Sequence, residues 1–191
     1  IINSVLTNYL DSRKLLKNQK YGFRKHKSCT LQLFNSMNKW TKHTDSKIPI
    51  DVVYIDYQKA FYSVVHSKLL MKLQSYGING FLLKWITSFL SNRVQSVKIE
   101  SVISDPAPVI SGVPQGSVLG PTLFLVFIND LVEVVKHSEI LLFADDLKIF
   151  NISSNNMLLQ ADLCNVANWS NTWQLSISVK NVTLYIILAG I

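Results

Sequence analysis

Apolar positions along the chain recur at helical spacing in some stretches and crowd into short β-branched runs in others. Residues 1–17 place Ile2, Val5, Leu6, Tyr9 and Leu10 on one face of a helix. Tyr21 to Lys27, broken by Gly22, reads as loop or short strand. Ser28 is positioned to cap a second helix with Leu31, Phe34, Met37 and Trp40 as its apolar face. IDVVYID, Ile50 to Asp56, predicts a buried strand that ends on an aspartate. SKLLMKLQSYG predicts a short helix stopped by Gly77. Asn79 then caps a helix whose stripe is Phe81, Leu82, Trp85, Ile86, Phe89 and Leu90. RVQSVKIE and PAPVISG read as strands, and SGVPQGS as a loop. Val118 to Val135 is apolar nearly all round, which predicts one buried helix with Pro121 in its first turn. LLFADDLKIF, Leu141 to Phe150, predicts a hairpin with Asp145 and Asp146 at its tip. Residues 156–173 predict an amphipathic helix on Leu159, Leu163, Val166, Trp169 and Trp173. Strand candidates near 175–179 and 183–189 close the chain. The hairpin forces an antiparallel pairing, so the pattern predicts an α+β fold: a small antiparallel sheet with helices on one face.

The 191 residues suffice for one domain with a core. Hydrophobic residues make up 48% of them, and the mean hydropathy of +0.22 leads us to expect apolar surface that meets further segments. The start at Ile1 agrees with a piece of a longer protein. No basic leader precedes an apolar run, and no run approaches the ~20 residues that span a bilayer, so no membrane partner is expected. Cys29 and Cys164 lie far apart without paired spacing, and the four histidines form no zinc pattern. An intracellular setting is expected, with nucleus and cytoplasm both open.

Charge is uneven. Residues 1–50 hold ten Lys/Arg against Asp11 and Asp45, while the rest of the chain is close to neutral. RKLLKNQKYGFRKHK, Arg13 to Lys27, carries seven Lys/Arg and no acid, with Tyr21 and Phe23 among them. Such a segment suits a phosphate backbone with rings for stacking. A solvated basic face is a second reading, and an anionic membrane surface a third that the lack of a clean amphipathic helix disfavours.

Two adjacent carboxylates at a turn repel by roughly 4 kcal/mol at an effective dielectric near 20. An exposed acidic turn would explain the pair alone. The apolar arms fix the tip, however, and Asp56 ends the most strand-like run. If that strand lies beside the hairpin, three carboxylates gather at one sheet edge. A divalent cation would then be needed, and magnesium takes oxygen ligands shared with phosphate. Two such ions ~4 Å apart suit an in-line displacement.

Five segments, in order, resemble the reverse transcriptase domain of non-LTR retrotransposons, LINE-type and Jockey-like: YGFRKHKSCTLQL, VVYIDYQKAF, SGVPQGSVLGPTLFLVFINDL, FADDLKIF and WSNTWQLSISVKN. The resemblance implies a polymerase palm, with a ferredoxin- or RRM-like sheet, over residues 50–191, and residual fingers over 1–49. It implies Asp56, Asp145 and Asp146 as catalytic ligands of two Mg²⁺ ions, with Mn²⁺ able to substitute, and Asp145 as the closer ligand of the pair. Phe61 would lie under the incoming sugar and disfavour a 2′-hydroxyl. Gln115 and Gly116 would lie against template and nucleotide, and Lys180 would assist the leaving pyrophosphate. Arg24, Lys25 and Lys27 would hold template phosphates. The implied partners are an RNA template, a DNA primer and dNTP, with finger, thumb and endonuclease segments of a parent polyprotein expected outside this chain.

The chain departs from the family at two places. Tyr62 stands where the family shows Asp after Ala-Phe, and Ser178-Val179-Lys180-Asn181 replaces Asn-Val-x-Lys, with the lysine one place early. A one-residue slip on a strand turns a side chain to the opposite face. Two functions therefore stand: an RNA-directed DNA polymerase palm, or a catalytically inactive retrotransposon remnant that at most binds nucleic acid.

Overall fold

The structure, a computed structural model, describes residues 1–152 and 156–188. The first half contains helices α1 (Ile2–Ser12) and α2 (Cys29–Asp45), strand β1 (Ile50–Ile55), and helices α3 (His66–Ser75) and α4 (Gly80–Leu90). A projecting arm follows, made of β2 (Val94–Gln95), β3 (Lys98–Ile99), β4 (Val102–Ile103) and β5 (Ala107–Pro108). Then come α5 (Gly120–Phe127), α6 (Leu131–Val134), β6 (Glu139–Phe143), β7 (Asp146–Asn151), α7 (Asn156–Trp173) and β8 (Thr183–Ile187). The main sheet has the order β6-β7-β1-β8 and every pairing is antiparallel.

β1 has no polar residue except Asp51, and it sits between β7 and β8. Alternation sends its side chains to two faces. Val53 and Ile55 join Leu147, Ile149, Ile140 and Leu142 in the main core. That core is closed by Leu69 and Leu73 of α3, Leu123, Phe124 and Phe127 of α5, and Val166 and Trp169 of α7. Leu6 and Leu10 of α1 belong to it as well. The opposite face carries Ile50, Val52, Leu141 and Phe150, covered by Trp40 of α2 and by Tyr21.

Several elements differ from the sequence expectation. α1 ends at Ser12 rather than continuing to residue 17, because Lys14 takes a positive φ of 53° and the chain turns. Ser28 caps α2 as expected, its Oγ accepting from the Leu31 N–H at 3.1 Å. Yet Gln32, Ser36 and Trp40 are the buried positions, while Leu31, Phe34 and Met37 are exposed. Of these, only Trp40 reaches the apolar sheet face, and Gln32 lines a cavity with Asp56 and Asp146 instead. RVQSVKIE and PAPVISG form two-residue ladders of exposed residues outside the main sheet.

The single helix expected over 118–135 is broken into α5 and α6. The cause is polar. Asn129 is buried, its amide donating to Leu15 O at 2.7 Å and Tyr76 Oη at 2.8 Å while its Oδ1 accepts from the Lys17 N–H. Asp130 is drawn to the Lys72 ammonium. Residues 175–179 are not a strand: Ile177 makes a lone bridge to Tyr57, and Val179–Asn181 is a 3₁₀ turn. The last strand ends at Ile187, and residue 189 of the expected 183–189 strand lies outside the described residues.

Candidate active site

The β1–β7 register sets the carboxylates. Ile55 pairs with Leu147, so the next antiparallel step puts Asp56 opposite Asp146. On the other side of β7, Asp146 pairs with Phe143, leaving Ala144 and Asp145 as a two-residue tip. The aspartate pair is thus split, one member on the turn and one opening the strand, where the sequence reading had placed both at the tip. Ala144 supplies the positive φ of the turn, 54°, a region that costs a non-glycine residue about 1–2 kcal/mol. The tip is braced from outside. The Tyr21 N–H donates to Leu142 O at 2.8 Å and the Leu142 N–H to Gln19 O at 2.9 Å. Gly22 then lies so close that a Cβ there would stand 2.4 Å from the Ala144 nitrogen.

Asp56 and Asp146 line one cavity of about 390 Å³ together with Cys29, Gln32, Tyr54, Lys148 and Asn181. Burial raises the Asp145 carboxyl above its ordinary range, opposed by a backbone hydrogen bond and reinforced by the charge of Asp56. Burial also raises Asp146, reinforced by Asp145 and then by Asp56. The charge of Asp56 thus reaches both members of the hairpin pair. Among the described residues, no group of three or more Asp, Glu, His or Cys side chains is gathered closely enough to hold a metal ion by itself. Asp56 is fixed from below: Asn181 Nδ2 donates to its Oδ2 at 2.7 Å, and its backbone carbonyl accepts from the Ser178 N–H at 2.8 Å.

A second concavity, of about 270 Å³, adjoins this edge and is lined by Phe23, Phe61, Pro114, Gln115, Gly116, Ser117, Gly120 and Pro121. Phe61 stacks on Phe124 with ring centroids 4.2 Å apart, and Phe23 meets it edge-on at 5.9 Å. The Phe61 segment is laced to the loop after the arm. The Val113 N–H donates to Phe61 O and the Gly112 N–H to Val64 O, both at 2.8 Å. Gly112 is needed here, since φ is +89° and a Cβ would stand 2.8 Å from the Tyr62 Cα. Tyr62 Oη donates to Gln115 Oε1 at 2.7 Å, so the departing residue of the motif holds the side chain of the loop.

The remaining expected residues are dispersed. Lys180 is exposed in the 3₁₀ turn, and its neighbour Asn181, not singled out from the sequence, is the residue that reaches Asp56. Arg24 faces inward, donating to Lys17 O at 2.9 Å and pairing with Asp11 at 3.2 Å. Lys27 donates to Asn18 O and lies over the Tyr21 ring, whereas Lys25 is exposed. Lys20, also in the basic segment, is fully buried and donates to Leu125 O at 2.6 Å. Two further residues escaped the sequence reading, Tyr62 as a partner of Gln115 and Lys148 in the carboxylate cavity. Alternation from Asp146 would have flagged Lys148 as sharing its face.

An antiparallel sheet that presents carboxylates at the mouth of a hairpin, beside an aromatic-floored loop, has the architecture of a polymerase palm. A family model described as reverse transcriptase (RNA-dependent DNA polymerase) matches residues 1–185, and the chain belongs to that family. It is 31% identical to the RNA-directed DNA polymerase from mobile element jockey of Drosophila melanogaster, over 96% of this chain and 21% of that protein. It is 30% identical to the probable RNA-directed DNA polymerase from transposon BS of the same species, over 93% of this chain and 21% of that protein. The chain thus spans about a fifth of these relatives. Among solved structures, telomerase from Candida tropicalis in complex with a fragment of telomeric RNA shares the fold at a TM-score of 0.74 and 10% identity, covering 99% of this chain and 34% of that one.

Proposed function

We propose that this chain is the palm, with partial fingers, of an RNA-directed DNA polymerase that adds deoxynucleotides to the 3′-hydroxyl of a DNA primer on an RNA template. The observation that carries the reading is the register that sets Asp56 opposite Asp146 with Asp145 beside them. The donors are all carboxylate oxygens, which fit Mg²⁺ and also Mn²⁺. Asp56, Asp145 and Asp146 would hold two such ions, with waters and substrate phosphates completing each shell, and the bound cations supply charge neutralisation for phosphoryl transfer. Burial, and then the charge of neighbouring carboxylates, raises Asp145 and Asp146, which is the setting in which a bound cation would favour their ionised form.

The chain's own groups supply the rest. Asn181 fixes the Asp56 carboxylate by donating to one oxygen and leaving the other free. Phe61, held on Phe124, offers a flat floor for the nucleotide sugar and crowds a 2′-hydroxyl. Gln115 and Gly116 form the adjacent wall for template and nucleotide. Lys180, exposed next to Asn181, is assigned to the leaving pyrophosphate. Lys25 and Lys27 are assigned to template phosphates, and Arg24 to keeping their loop in place. Residues 1–49 serve as fingers and residues 50–191 as palm. Finger, thumb and endonuclease segments of a polyprotein are the assigned protein partners. Nucleic-acid partners are supported by the family and by the RNA in the telomerase complex. Free, exposed Cys29 and Cys164 fit a reducing intracellular setting.

A second reading, an inactive remnant that binds nucleic acid, draws on one observation: Tyr62 already occupies the Gln115 side chain. Primer extension on an RNA template with Mg²⁺ or Mn²⁺ separates the two. Under the polymerase reading Asp145→Ala loses at least ~10³-fold in rate, about 4 kcal/mol of barrier. Undiminished extension by the variant sinks the carboxylate assignment, and no extension by the parent chain supports the remnant.

A further inference from the structure

Lys148 follows the aspartate pair on β7 and, by strand alternation, shares the face of Asp146. It stands opposite Tyr54 of β1 and is only 8% exposed. Its ammonium lies 5.3 Å from the Trp40 ring centroid and 5.1 Å from that of Tyr54. Among the described residues it has no carboxylate within ion-pair distance and no hydrogen-bond acceptor. Aromatic faces attract a cation but accept none of its three N–H bonds strongly. Its N–H bonds therefore remain open to a ligand entering the cavity that it lines.

Lys148 lines the cavity of about 390 Å³ that Asp56 and Asp146 also line, and whose wall includes Cys29 and Gln32. These belong to the first turn of α2, a helix of 17 residues. Ser28 takes the Leu31 N–H with its Oγ and the Gln32 N–H with its carbonyl. The N–H groups of Cys29 and Thr30 have no acceptor among the described residues. The positive end of the helix dipole and an ammonium that has ring contacts but no hydrogen-bond acceptor thus face one space. The two are independent in sequence, since residue 29 and residue 148 meet only through the fold. Two residues along a strand is roughly 7 Å, so an anion at Lys148 would lie beside the carboxylates and not on them.

We propose that Lys148 and the first turn of α2 form a phosphate subsite within the carboxylate cavity. Its ligand is a phosphate group, either a phosphodiester of the bound primer strand or a phosphate of the incoming nucleotide. The subsite itself stands on the geometry alone. Only the naming of these two sources rests on the polymerase reading.

Cys29 provides a reporter, being exposed and on the cavity wall, while exposed Cys164 serves as an internal control. The whole chain is alkylated with iodoacetamide in chelator, with and without millimolar pyrophosphate, and each cysteine is followed by mass spectrometry. Pyrophosphate is expected to slow alkylation of Cys29 about tenfold, the size of one charge-assisted contact, and to leave Cys164 unchanged. Lys148→Arg keeps the protection and Lys148→Met, which keeps the apolar stem, loses it. An unprotected Cys29 in the parent chain overturns the subsite, and so does equal protection in Lys148→Met. Since the chelated experiment involves no catalysis, its failure is distinct from a failure of primer extension. Two further arms identify the source. A strand phosphate lowers the salt slope of RNA–DNA duplex binding by about 0.9 in Lys148→Met, whereas a nucleotide phosphate raises KM for dNTP about tenfold with duplex binding intact. If neither quantity moves in Lys148→Met, the proposed ligand is wrong.

Discussion

Asp145 and Asp146 are held against their own electrostatics. A carboxyl whose folded pKa is raised binds its proton more tightly in the folded state. Its stability contribution is therefore full below the unfolded pKa, near 3.9, and is lost as pH rises through the folded value. As pH rises, burial and then the charge of the neighbouring carboxylates oppose their ionisation, a cost to the folded chain. Asp145→Asn is expected to raise its Tm at pH 7 by roughly 2 °C, the effect of less than about 1 kcal/mol after solvent screening. The gain should disappear near pH 3; an equal gain at both pH values in thermal melts would show that charge is not its cause. FADD made the pair visible as a sequence feature, but not its split across tip and strand. That depends on Ala144 accepting a left-handed backbone, for which alanine carries no propensity. Charge was equally misleading at single residues, because Lys20 and Arg24 look like phosphate ligands in a list and prove to be fastened inside the fold.

At the level of elements, the finger segment and the hairpin act as one piece. Gly22→Ala would place a methyl 2.4 Å from the Ala144 nitrogen, so the segment at Tyr21 or the tip must shift. A displacement near 1 Å at a reacting centre costs about 10²-fold, and that loss in extension rate is expected here. An unchanged rate would mean that the tip does not need its brace. β6 is anchored at its other end. Asp162 of α7, 0% exposed, accepts from the N–H groups of Lys136, His137 and Ser138 at 2.7–2.9 Å. Asp162→Ala strands those donors and is expected to cost about 3 kcal/mol in urea unfolding. A loss under about 1 kcal/mol would show that water replaces the carboxylate. α7 itself was legible because its stripe obeys helical period end to end. The α5–α6 break was not, since Asn129 and Asp130 find their partners on α1's following loop and on α3, far away in sequence. α2 misled for a related reason: its hydrophobic side is turned outward and its polar side borders the cavity.

Over the whole molecule, basic charge is divided between structure and surface. Lys20 and Arg24 serve the core and the loop, Lys17 pairs with Glu133 at 2.6 Å, and Lys25 remains exposed. Duplex binding should therefore weaken with salt by a smaller slope than seven cations would give. Lys25→Ala and Lys27→Ala are each expected to reduce the slope by about 0.9 in a salt titration. Unaltered slopes would move the phosphate contacts elsewhere on the chain. The α+β class and the antiparallel sheet were readable from the alternation of runs. The strand order was not, because pairing partners are chosen by long-range packing rather than by local pattern.

That order carries a consequence in time. β1 occupies the middle of the sheet, yet Asp51 pairs with Asn151 on one side and Ile186 on the other. While a ribosome is still delivering the chain, β1 emerges with both edges bare and waits for β7 and β8 to follow far behind it in sequence. Contacts of such separation are slow to form. Asp56 and Asp146 thus come together only once β7 has been synthesised, and a nascent polypeptide stalled before β7 presents an open strand edge in place of a site.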